Sequence, residues 1–348
     1  MHGFAGARQI IQSGIDARAF PAATIEVGRR AGPIWQAAFG RLTYDADATV
    51  CEVETIFDLA SLTKVISTTS IAMRLVDGAR LALDSAVGTF VPAFATGDRG
   101  AISIRHLLTH SSGLPAHATL WETVSGRAGF ERAIADLPLE RAPGTKSVYS
   151  DPGFMLLGFA LETAATATLD AQFQRLSAEL GEIWFNPRAE LIDRIAPTEH
   201  DPWRARLLRG EVHDENAAAL GGVAAHAGLF GTAPAVGAFA RLVLRTFHAP
   251  GPLGPPELMR LFATRSDVPE SSRALGWDTM LPTSSCGTRL SPTAIGHTGF
   301  TGTSLWIDWE NDLYVVLLTN RVHPTRANEQ HVALRPKIHD AVMKAVKG

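Results

Sequence analysis

Ser61 and Lys64 form a Ser-x-x-Lys pair at the start of a helical pattern of apolar residues. Residues three positions apart share one face of a helix, so the Lys64 amine can reach the Ser61 hydroxyl. A serine at a helix start also has a free backbone N–H at the positive end of the helix dipole. A lysine removed from water holds its proton less tightly and can accept one from a hydroxyl. The pair therefore predicts a nucleophilic serine with a base beside it, although a capping serine and a solvated lysine produce the same four-residue pattern by chance.

A second polar group lies in the loop 143–153, which contains Tyr149 and Asp151. A tyrosine in a loop bounded by proline and glycine can project its phenol into a cleft, and a neighbouring lysine cation lowers the pKa of that phenol. The same residues also fit a helix start, with Asp151 as the N-cap, Pro152 in the first turn and Tyr149 packed against the helix. Both interpretations can hold together.

The third group is His297-Thr298-Gly299, which is followed by Phe300 and a predicted strand. Glycine at such a position lets a substrate approach the strand backbone closely. An exposed backbone N–H there could join the N–H of Ser61 and stabilise a developing oxyanion. Taken alone, a strand entry rich in glycine and threonine with a surface histidine explains the segment equally well.

The order of these three groups resembles the serine β-lactamase and penicillin-binding-protein superfamily. The nearest patterns are those of class C β-lactamases, of DD-carboxypeptidases that carry His-Thr-Gly, and of family VIII carboxylesterases. The resemblance extends over most of the chain and includes the segments 57–60, 104–114 and 228–241.

The resemblance implies an acyl-enzyme cycle. Ser61 attacks a carbonyl carbon, Lys64 and Tyr149 transfer the proton, and the backbone N–H groups of Ser61 and Phe300 form the oxyanion hole. A water molecule then hydrolyses the acyl-enzyme. His297 stands where many relatives have lysine and is expected to contact a substrate carboxylate or the Tyr149 hydroxyl. No cofactor and no metal ion is implied.

Two departures from the family pattern affect the substrate prediction. Relatives commonly have asparagine where this chain has Asp151, and an ionised aspartate can accept but not donate a hydrogen bond. Asp151 also favours a protonated Lys64, which moves the role of base toward Tyr149. His297 carries less positive charge than lysine at neutral pH. We therefore expect a serine hydrolase of short esters or small peptide-like amides, with a true β-lactamase or a non-turnover penicillin-binding sensor or scaffold as the alternatives.

A polar segment at 209–217 resembles one found in penicillin-binding-like hydrolases linked to bacterial cell-wall turnover. Its His213 and Asp214 could line the cleft, with His226 near it; a polar loop with its own local hydrogen bonds is an equally good interpretation.

A metal hydrolase is another possible class of enzyme, because His106 and His110 are four positions apart. That segment lacks the glutamate that zinc hydrolases of this pattern place beside the first histidine. No Gly-x-Ser-x-Gly sequence is present either, which argues against an α/β-hydrolase.

The composition of the 348-residue chain mainly excludes classes of protein. Its formal charge of −3 and its 46% hydrophobic residues exclude intrinsic disorder and argue against a nucleic-acid or anionic-membrane binder. The sequence shows no signal-peptide pattern, and its longest apolar stretch, 154–169, is too short to span a bilayer. We expect a soluble protein with a small-molecule substrate, cytoplasmic as written, or periplasmic or secreted if a signal peptide was removed. A bridge between Cys51 and Cys286 and the oligomeric state are left open.

The elements that must position these residues suggest an α+β fold, an antiparallel sheet flanked by terminal helices with a mostly helical insertion. We expect a sheet domain from residues 1–78 and 251–348, a helical domain from 79–250, and the active site in the cleft between them. Strands are predicted at 23–30, 33–40, 56–59, 303–309 and 313–319. Helices are predicted at the N-terminus and at 62–76, 103–110, 129–136, 152–168, 170–180, 201–209, 234–247 and 335–346.

Overall fold

The structure is a computed structural model that describes residues 3–347. Its strands are β1 (Ala22–Arg29), β2 (Gly32–Gly40), β3 (Phe57–Asp58), β4 (Ile183–Phe185), β5 (His200–Asp201), β6 (Arg206–Leu207), β7 (Leu229–Gly231), β8 (Asp278–Thr279), β9 (Ile295–Thr298), β10 (Ser304–Asp308) and β11 (Leu313–Thr319). Its α-helices are α1 (Ala5–Asp16), α2 (Ser70–Asp77), α3 (Ile104–Leu108), α4 (Gly126–Asp136), α5 (Asp151–Ala165), α6 (Leu169–Ser177), α7 (Glu215–Ala219), α8 (Ala233–Thr246), α9 (Pro256–Ala263) and α10 (Gln330–Lys347). A π-helical turn, Lys64–Thr69, runs directly into α2.

Six strands form one antiparallel sheet in the order β2-β1-β11-β10-β9-β8. The first and last thirds of the chain meet in its centre, where β1 pairs with β11. Nearly every residue of these two strands is buried, because helices cover both faces of the sheet. The α+β class and the antiparallel sheet predicted from the sequence are therefore confirmed.

Successive side chains of the central strands point to opposite faces of the sheet, as the two-residue period of a strand requires. One face packs against α1 and α10, with Ile25 and Val315 in a cluster that includes Ile11 and Ile338. The other face carries Glu26, Tyr314 and Val316 and packs against α8. The helical remainder of the chain is organised around α5, whose first ten residues after Asp151 are all buried.

Two smaller sheets lie outside the main one. The strands β3, β7 and β4 form a three-stranded antiparallel sheet that leads into Ser61. The strands β5 and β6 form a two-stranded ribbon, so the helix predicted at 201–209 is wrong. The buried carboxylate of Asp201 accepts hydrogen bonds from the backbone of Trp203 and from the side chain of Arg204, and Ala205 has a φ of 52°. These local bonds offer the backbone an alternative to the helix.

Both cysteines, Cys51 and Cys286, are free and buried, so the bridge left open by the sequence is not formed. Burial raises the pKa of the Cys51 thiol to about 11 and that of Cys286 to about 12. No single helix in residues 3–347 has the length and apolar character to cross a membrane; only the pair α5 and α6 together, bent by 79°, meets that criterion.

A buried carboxylate ties the sheet to α8. Glu26 accepts hydrogen bonds from Arg241 at 2.8 Å, from the Tyr314 hydroxyl at 2.6 Å and from the Gln36 amide at 2.7 Å. Gly237 makes room for this carboxylate, because a Cβ at that position would collide with Glu26 Oε1. All four elements involved, β1, β2, β11 and α8, therefore converge on one side chain.

Replacing Glu26 by alanine leaves three polar partners facing a void, and we expect the free energy of unfolding to fall by about 3 kcal/mol. Urea denaturation measures the change. The matched control is Glu131→Ala, which removes a solvent-accessible carboxylate bound to Arg127 on α4 and should cost about 0.5 kcal/mol or less. Equal losses in the two variants would contradict a central role for Glu26.

Candidate active site

Ser61 lies on a tight turn between β3 and the π-helical turn, four positions after Phe57. The turn is held by the carboxylate of Asp58, which accepts one hydrogen bond from Ala60 N at 2.8 Å and another from His213 N at 2.7 Å. Ala60 itself is in the left-handed region, with a φ of 47°. The helix begins at Leu62, as the sequence predicted, and becomes π-helical from Lys64. Ser61 N donates to no other group of the described residues.

Lys64 is fully buried, and its Nζ has three acceptors. They are Ser61 Oγ at 3.1 Å, Asp151 Oδ1 at 2.7 Å and the backbone oxygen of His226 at 3.0 Å. Three acceptors match the three N–H donors of an ammonium group. Burial lowers the pKa of Lys64, but the Asp151 carboxylate and Tyr149 together outweigh burial, and the pKa is raised. Lys64 is therefore protonated at rest.

Tyr149 makes the other contact with the nucleophile, since its hydroxyl donates to Ser61 Oγ at 2.8 Å. Its ring lies 4.7 Å from Lys64 Nζ and packs against His110 at a centroid distance of 4.6 Å. Burial raises the pKa of Tyr149 in spite of the lysine cation. The sequence predicted a lowered pKa, and that prediction is wrong because the phenolate would lose its hydration. The resting group is a phenol.

Asp151 is the first residue of α5 and not its N-cap, which corrects the alternative interpretation of this loop. The cap is Ser150, whose hydroxyl accepts from Gly153 N at 3.0 Å. The Asp151 carboxylate is left to bind side chains, with Oδ2 3.1 Å from His117 Nδ1 and Oδ1 on Lys64. Burial raises the pKa of Asp151, but Lys64, His117 and His226 together lower it by more, so the pKa is below its usual range and the carboxylate is ionised.

The turn between β9 and β10 lies against the segment that precedes the nucleophile. Thr301 Oγ1 donates to Asp58 O at 2.7 Å and Thr303 Oγ1 donates to Leu59 O at 3.0 Å. Within the turn, Gly299 N donates to Thr303 O at 2.8 Å. Phe300 N, the next donor along the chain, bonds to nothing else in residues 3–347. The turn thus carries a free N–H, in a segment bonded to the backbone just before Ser61, and both residues line the same cleft; an oxyanion hole needs two such donors.

His297 is buried, not on the surface. Its Nδ1 lies 2.8 Å from the backbone oxygen of Thr298 and so donates to it, while Nε2 has no partner among the described residues. Burial holds the pKa of His297 well below its usual range, so the ring is neutral. The ring lies 5.8 Å from that of Tyr149, whose hydroxyl is bonded to Ser61. The expected hydrogen bond to Tyr149 is not formed.

His213 and Asp214, predicted as cleft candidates, do line the cleft, together with Glu215. The His213 ring stacks on Phe300 at 5.6 Å and its Nε2 binds Glu199 Oε2 at 2.8 Å. Asp214 caps α7 by accepting from the backbone at 2.8 Å, so the local-bonding interpretation holds as well. His226 is fully buried; its Nε2 lies 2.8 Å from Asp214, and its backbone oxygen holds Lys64.

The histidines considered as metal ligands have other roles. His106 completes the capping box of α3 with Ser103, and His110 Nδ1 accepts from Ser150 N at 3.0 Å. No group of three or more metal-binding side chains occurs in the described part of the chain.

The cleft around Ser61 has a volume of about 640 Å³. Sequence reasoning missed several of its lining residues, because each is isolated in the sequence and belongs to no motif. The most prominent are His117, Trp121, Arg273, Arg321, Arg326 and Arg335.

Three of these arginines, Arg273, Arg321 and Arg335, have no carboxylate partner within residues 3–347. The Arg273 guanidinium lies 5.2 Å from the Tyr149 ring centroid. The Arg321 guanidinium lies 4.4 Å from the Phe300 ring centroid and donates to Phe300 O at 2.8 Å. Arg335 is buried, bonds to His331 Nε2 at 3.1 Å, and leaves its Nε without a partner; burial lowers its pKa to about 10, which still leaves it cationic at neutral pH. The cleft therefore contains uncompensated positive charge.

Comparison with known proteins gives consistent findings. The model of the family described as "Beta-lactamase" matches residues 7–337. A protein of Escherichia coli K12 named "Putative D-alanyl-D-alanine carboxypeptidase" is 33% identical over 316 positions, covering 79% of this chain and 71% of that protein. The structure of EstCE1, a hydrolase with promiscuous acyltransferase activity, has a TM-score of 0.78 at 21% identity and covers 98% of both chains. A beta-lactamase/D-alanine carboxypeptidase from Pseudomonas syringae has a TM-score of 0.78 at 18% identity, covering 98% of this chain and 99% of its own. At these identities the two structures establish the fold.

Gly299 supplies a test of the oxyanion turn. A Cβ at this position would lie 2.6 Å from Leu59 O and would also collide with Thr303 Oγ1, so Gly299→Ala must move the turn and Phe300 N with it. We expect kcat for a p-nitrophenyl ester to fall about 100-fold, the usual effect of losing one oxyanion donor.

The matched control for Gly299→Ala is Gly251→Ala, where a Cβ would meet nothing closer than 3.7 Å. It should retain the wild-type rate, and circular dichroism should show that both variants are folded. Full activity in Gly299→Ala would contradict the assignment of Phe300 N as an oxyanion donor.

Proposed function

Because the chain belongs to the beta-lactamase family of serine hydrolases, we propose that it forms an acyl-enzyme on Ser61 and cleaves small D-amino-acid peptides and short esters. The observation that carries this proposal is the pair of contacts on one hydroxyl. Lys64 Nζ lies 3.1 Å and the Tyr149 hydroxyl 2.8 Å from Ser61 Oγ, inside a cleft large enough for a dipeptide.

Acylation begins when the Lys64 and Tyr149 pair has lost one of its protons. The pair then takes the proton of Ser61 as Oγ bonds to the substrate carbonyl carbon. The carbonyl electron pair moves to oxygen, which accepts hydrogen bonds from Ser61 N and Phe300 N. When this intermediate collapses, the bond to the leaving amine or alcohol breaks and the pair returns the proton to it. Two groups this close titrate together, so the proton belongs to the pair and not to one residue.

Deacylation repeats these steps with water as the nucleophile. The pair takes a proton from the water as its oxygen bonds to the acyl carbon, and returns it to Ser61 Oγ as the ester bond breaks. The same two N–H groups stabilise the second oxyanion. No group outside the described site is required for either half of the cycle.

The charges of the cleft support a substrate with a free carboxylate. His297 is neutral, so the family position that commonly holds a lysine supplies no cation here. Arg273, Arg321 and Arg335 supply the positive charge instead, since none of them is neutralised by a carboxylate of the described residues. A peptide whose last residue has a free carboxylate matches that charge. The name of the Escherichia coli relative agrees with this class of reaction.

Esterase activity is the second candidate, and Asp151 favours it. Both carboxylate oxygens of Asp151 are occupied, one by Lys64 and one by His117, and an ionised carboxylate cannot donate to the amide of an acyl group. An ester with a simple acyl chain does not need such a donor. A compact ester is therefore expected to acylate Ser61 without the positioning that an acylated peptide requires.

The nucleophile is tested with Ser61→Ala. We expect ester hydrolysis to fall by roughly 1,000-fold or more, and a fluorophosphonate to add one adduct to the wild type and none to the variant, by intact-mass spectrometry. Ser125→Ala, at an exposed serine without a side-chain capping bond, is the matched control and should retain both properties. An adduct on Ser61→Ala would refute the assignment.

The substrate class is tested by comparing acylated D-Ala-D-Ala with its C-terminal amide. We expect the free acid to have a KM about tenfold lower, and Arg335→Gln to remove that difference by raising the KM of the acid alone. Arg132→Gln, on the exposed face of α4, should not alter either substrate.

A chromogenic cephalosporin tests the two alternative functions, β-lactamase and penicillin-binding sensor. Its turnover at the rate of the best ester would identify a true β-lactamase, and one equivalent of acylation without turnover on any substrate would identify a penicillin-binding sensor. Either result would replace the proposed function.

A further inference from the structure

His117 connects the nucleophile to the solvent. Its side chain is 75% exposed, yet its Nδ1 lies 3.1 Å from Asp151 Oδ2. The opposite oxygen of that carboxylate lies 2.7 Å from Lys64 Nζ, which in turn lies 3.1 Å from Ser61 Oγ. Four side chains thus form one continuous chain of hydrogen bonds from the protein surface to the reactive hydroxyl.

The backbone on both sides of His117 is held in place. Ala116 O accepts from Asp151 N at 3.0 Å, so the residue before His117 is bonded to the start of α5. Ala118 O accepts from Asn216 Nδ2 at 2.9 Å, so the residue after it is bonded to α7. An exposed histidine on a freely moving loop would have neither anchor. The contact between His117 and Asp151 is therefore built into the fold.

His117 and Lys64 compete for one carboxylate. The hydrogen bond that Asp151 accepts from His117 raises the pKa of His117 above its ordinary value of 6.5. The same carboxylate raises the pKa of Lys64 against the effect of burial. Two cations that share one anion repel each other, so a charged His117 weakens the attraction that Lys64 feels, and a neutral His117 restores it.

We propose that His117 is a positioning residue that acts through Asp151: when charged, it loosens the hold of Lys64 on its proton and so allows the Lys64 and Tyr149 pair to accept the proton of Ser61. This inference rests on the proposed function, because it concerns the base of the same acylation step. His117 does not touch the reacting atoms. Its charge determines how readily the pair can lose a proton to water before the reaction begins.

The other charged and titratable groups near this chain do not provide the same control. The ring of Tyr149 faces His110, His297 and Arg273, and burial keeps the pKa of both histidines well below the usual range. Arg273 lies 5.2 Å from the Tyr149 ring centroid and is not bonded to Asp151. The Asp214 carboxylate contributes to the raised pKa of His117 and is itself bonded to His226 at 2.8 Å. His117 is the histidine of this group that is both solvent-exposed and bonded to Asp151.

This competition for Asp151 determines how the charge of His117 changes the acylation rate with pH. Below the pKa of His117 the imidazolium is present and helps the pair to lose its proton; above that pKa the help disappears. The logarithm of the acylation rate should therefore rise with pH, flatten where His117 loses its charge, and then rise again. A variant without a charge at position 117 should show a single continuous rise.

The experiment measures the second-order rate of Ser61 phosphonylation by a fluorophosphonate between about pH 5 and pH 9, since this reagent needs no natural substrate. In that reaction Oγ bonds to phosphorus, the phosphorus–fluorine bond breaks, fluoride leaves and the pair takes the serine proton. We expect His117→Ala to react about tenfold more slowly than wild type at the acidic end and at nearly the same rate at the alkaline end, which corresponds to a change of one pKa unit in the pair.

Two further variants separate charge from structure. His117→Gln keeps a donor for Asp151 without a charge and should behave like His117→Ala. His117→Arg keeps the charge at every pH, so it should match wild type at the acidic end and exceed it about tenfold at the alkaline end. His248→Ala, an exposed histidine beyond the end of α8, is the matched control and should leave the profile unchanged.

Three outcomes would overturn the inference. They are an equal loss of rate at all pH values in His117→Ala, full restoration of the profile by His117→Gln, and an unchanged profile in every variant. Each of them leaves the proposed function intact as long as Ser61 is the labelled residue. Labelling of a residue other than Ser61 would instead refute the proposed function itself.

Discussion

Lys64 is a fully buried ammonium group, and such a group is stable only where acceptors replace the water it has lost. Its three acceptors come from three separate parts of the chain: the nucleophile turn, the first residue of α5 and the loop before β7. Removing the Asp151 carboxylate would leave a charge in the interior without compensation, at a cost of several kcal/mol. One ammonium group thereby fixes the relative positions of Ser61, Asp151 and the His226 backbone. Arginine could not replace it, because arginine never gives up its proton.

The helix that carries Lys64 is widened where the lysine lies. The hydroxyl of Thr69 donates to Lys64 O at 2.8 Å and that of Ser70 donates to Val65 O at 3.2 Å, each across five residues. These bonds match the wider spacing of a π-helical turn, which occurs mostly at functional sites. Threonine hydroxyls from the β9–β10 turn bond to the backbone before Ser61 in the same manner. Short polar side chains thus join the sheet, the nucleophile and the helix without occupying the cleft.

The sequence predicted the features that depend on spacing along the chain. Ser61 and Lys64 are one helical turn apart, and the two hairpins of the main sheet are β-rich runs joined by short turns, so both features can be predicted from the sequence. The pKa shifts of Tyr149 and His297 cannot, because they depend on burial by distant segments. His117, Arg321 and Arg335 carry no motif at all, and only the fold brings them to the cleft. The failed helix at 201–209 has a local origin instead, since the hydrogen bonds of Asp201 with Trp203 N and Arg204 compete with the helix.

The distribution of charge in the cleft gives the proposed substrate a direction. The carboxylates of Asp151 and Asp214 are each bonded to a lysine or a histidine. In the same cleft, Arg273, Arg321 and Arg335 have no such compensation within the described residues. A substrate anion is attracted to uncompensated cations and gains nothing beside compensated ones. Under the proposed function, the carboxylate of the leaving residue therefore binds among these arginines. The scissile carbonyl must then reach Ser61 Oγ and the proposed oxyanion donors, and the leaving nitrogen must come within reach of the Lys64 and Tyr149 pair that returns the proton to it.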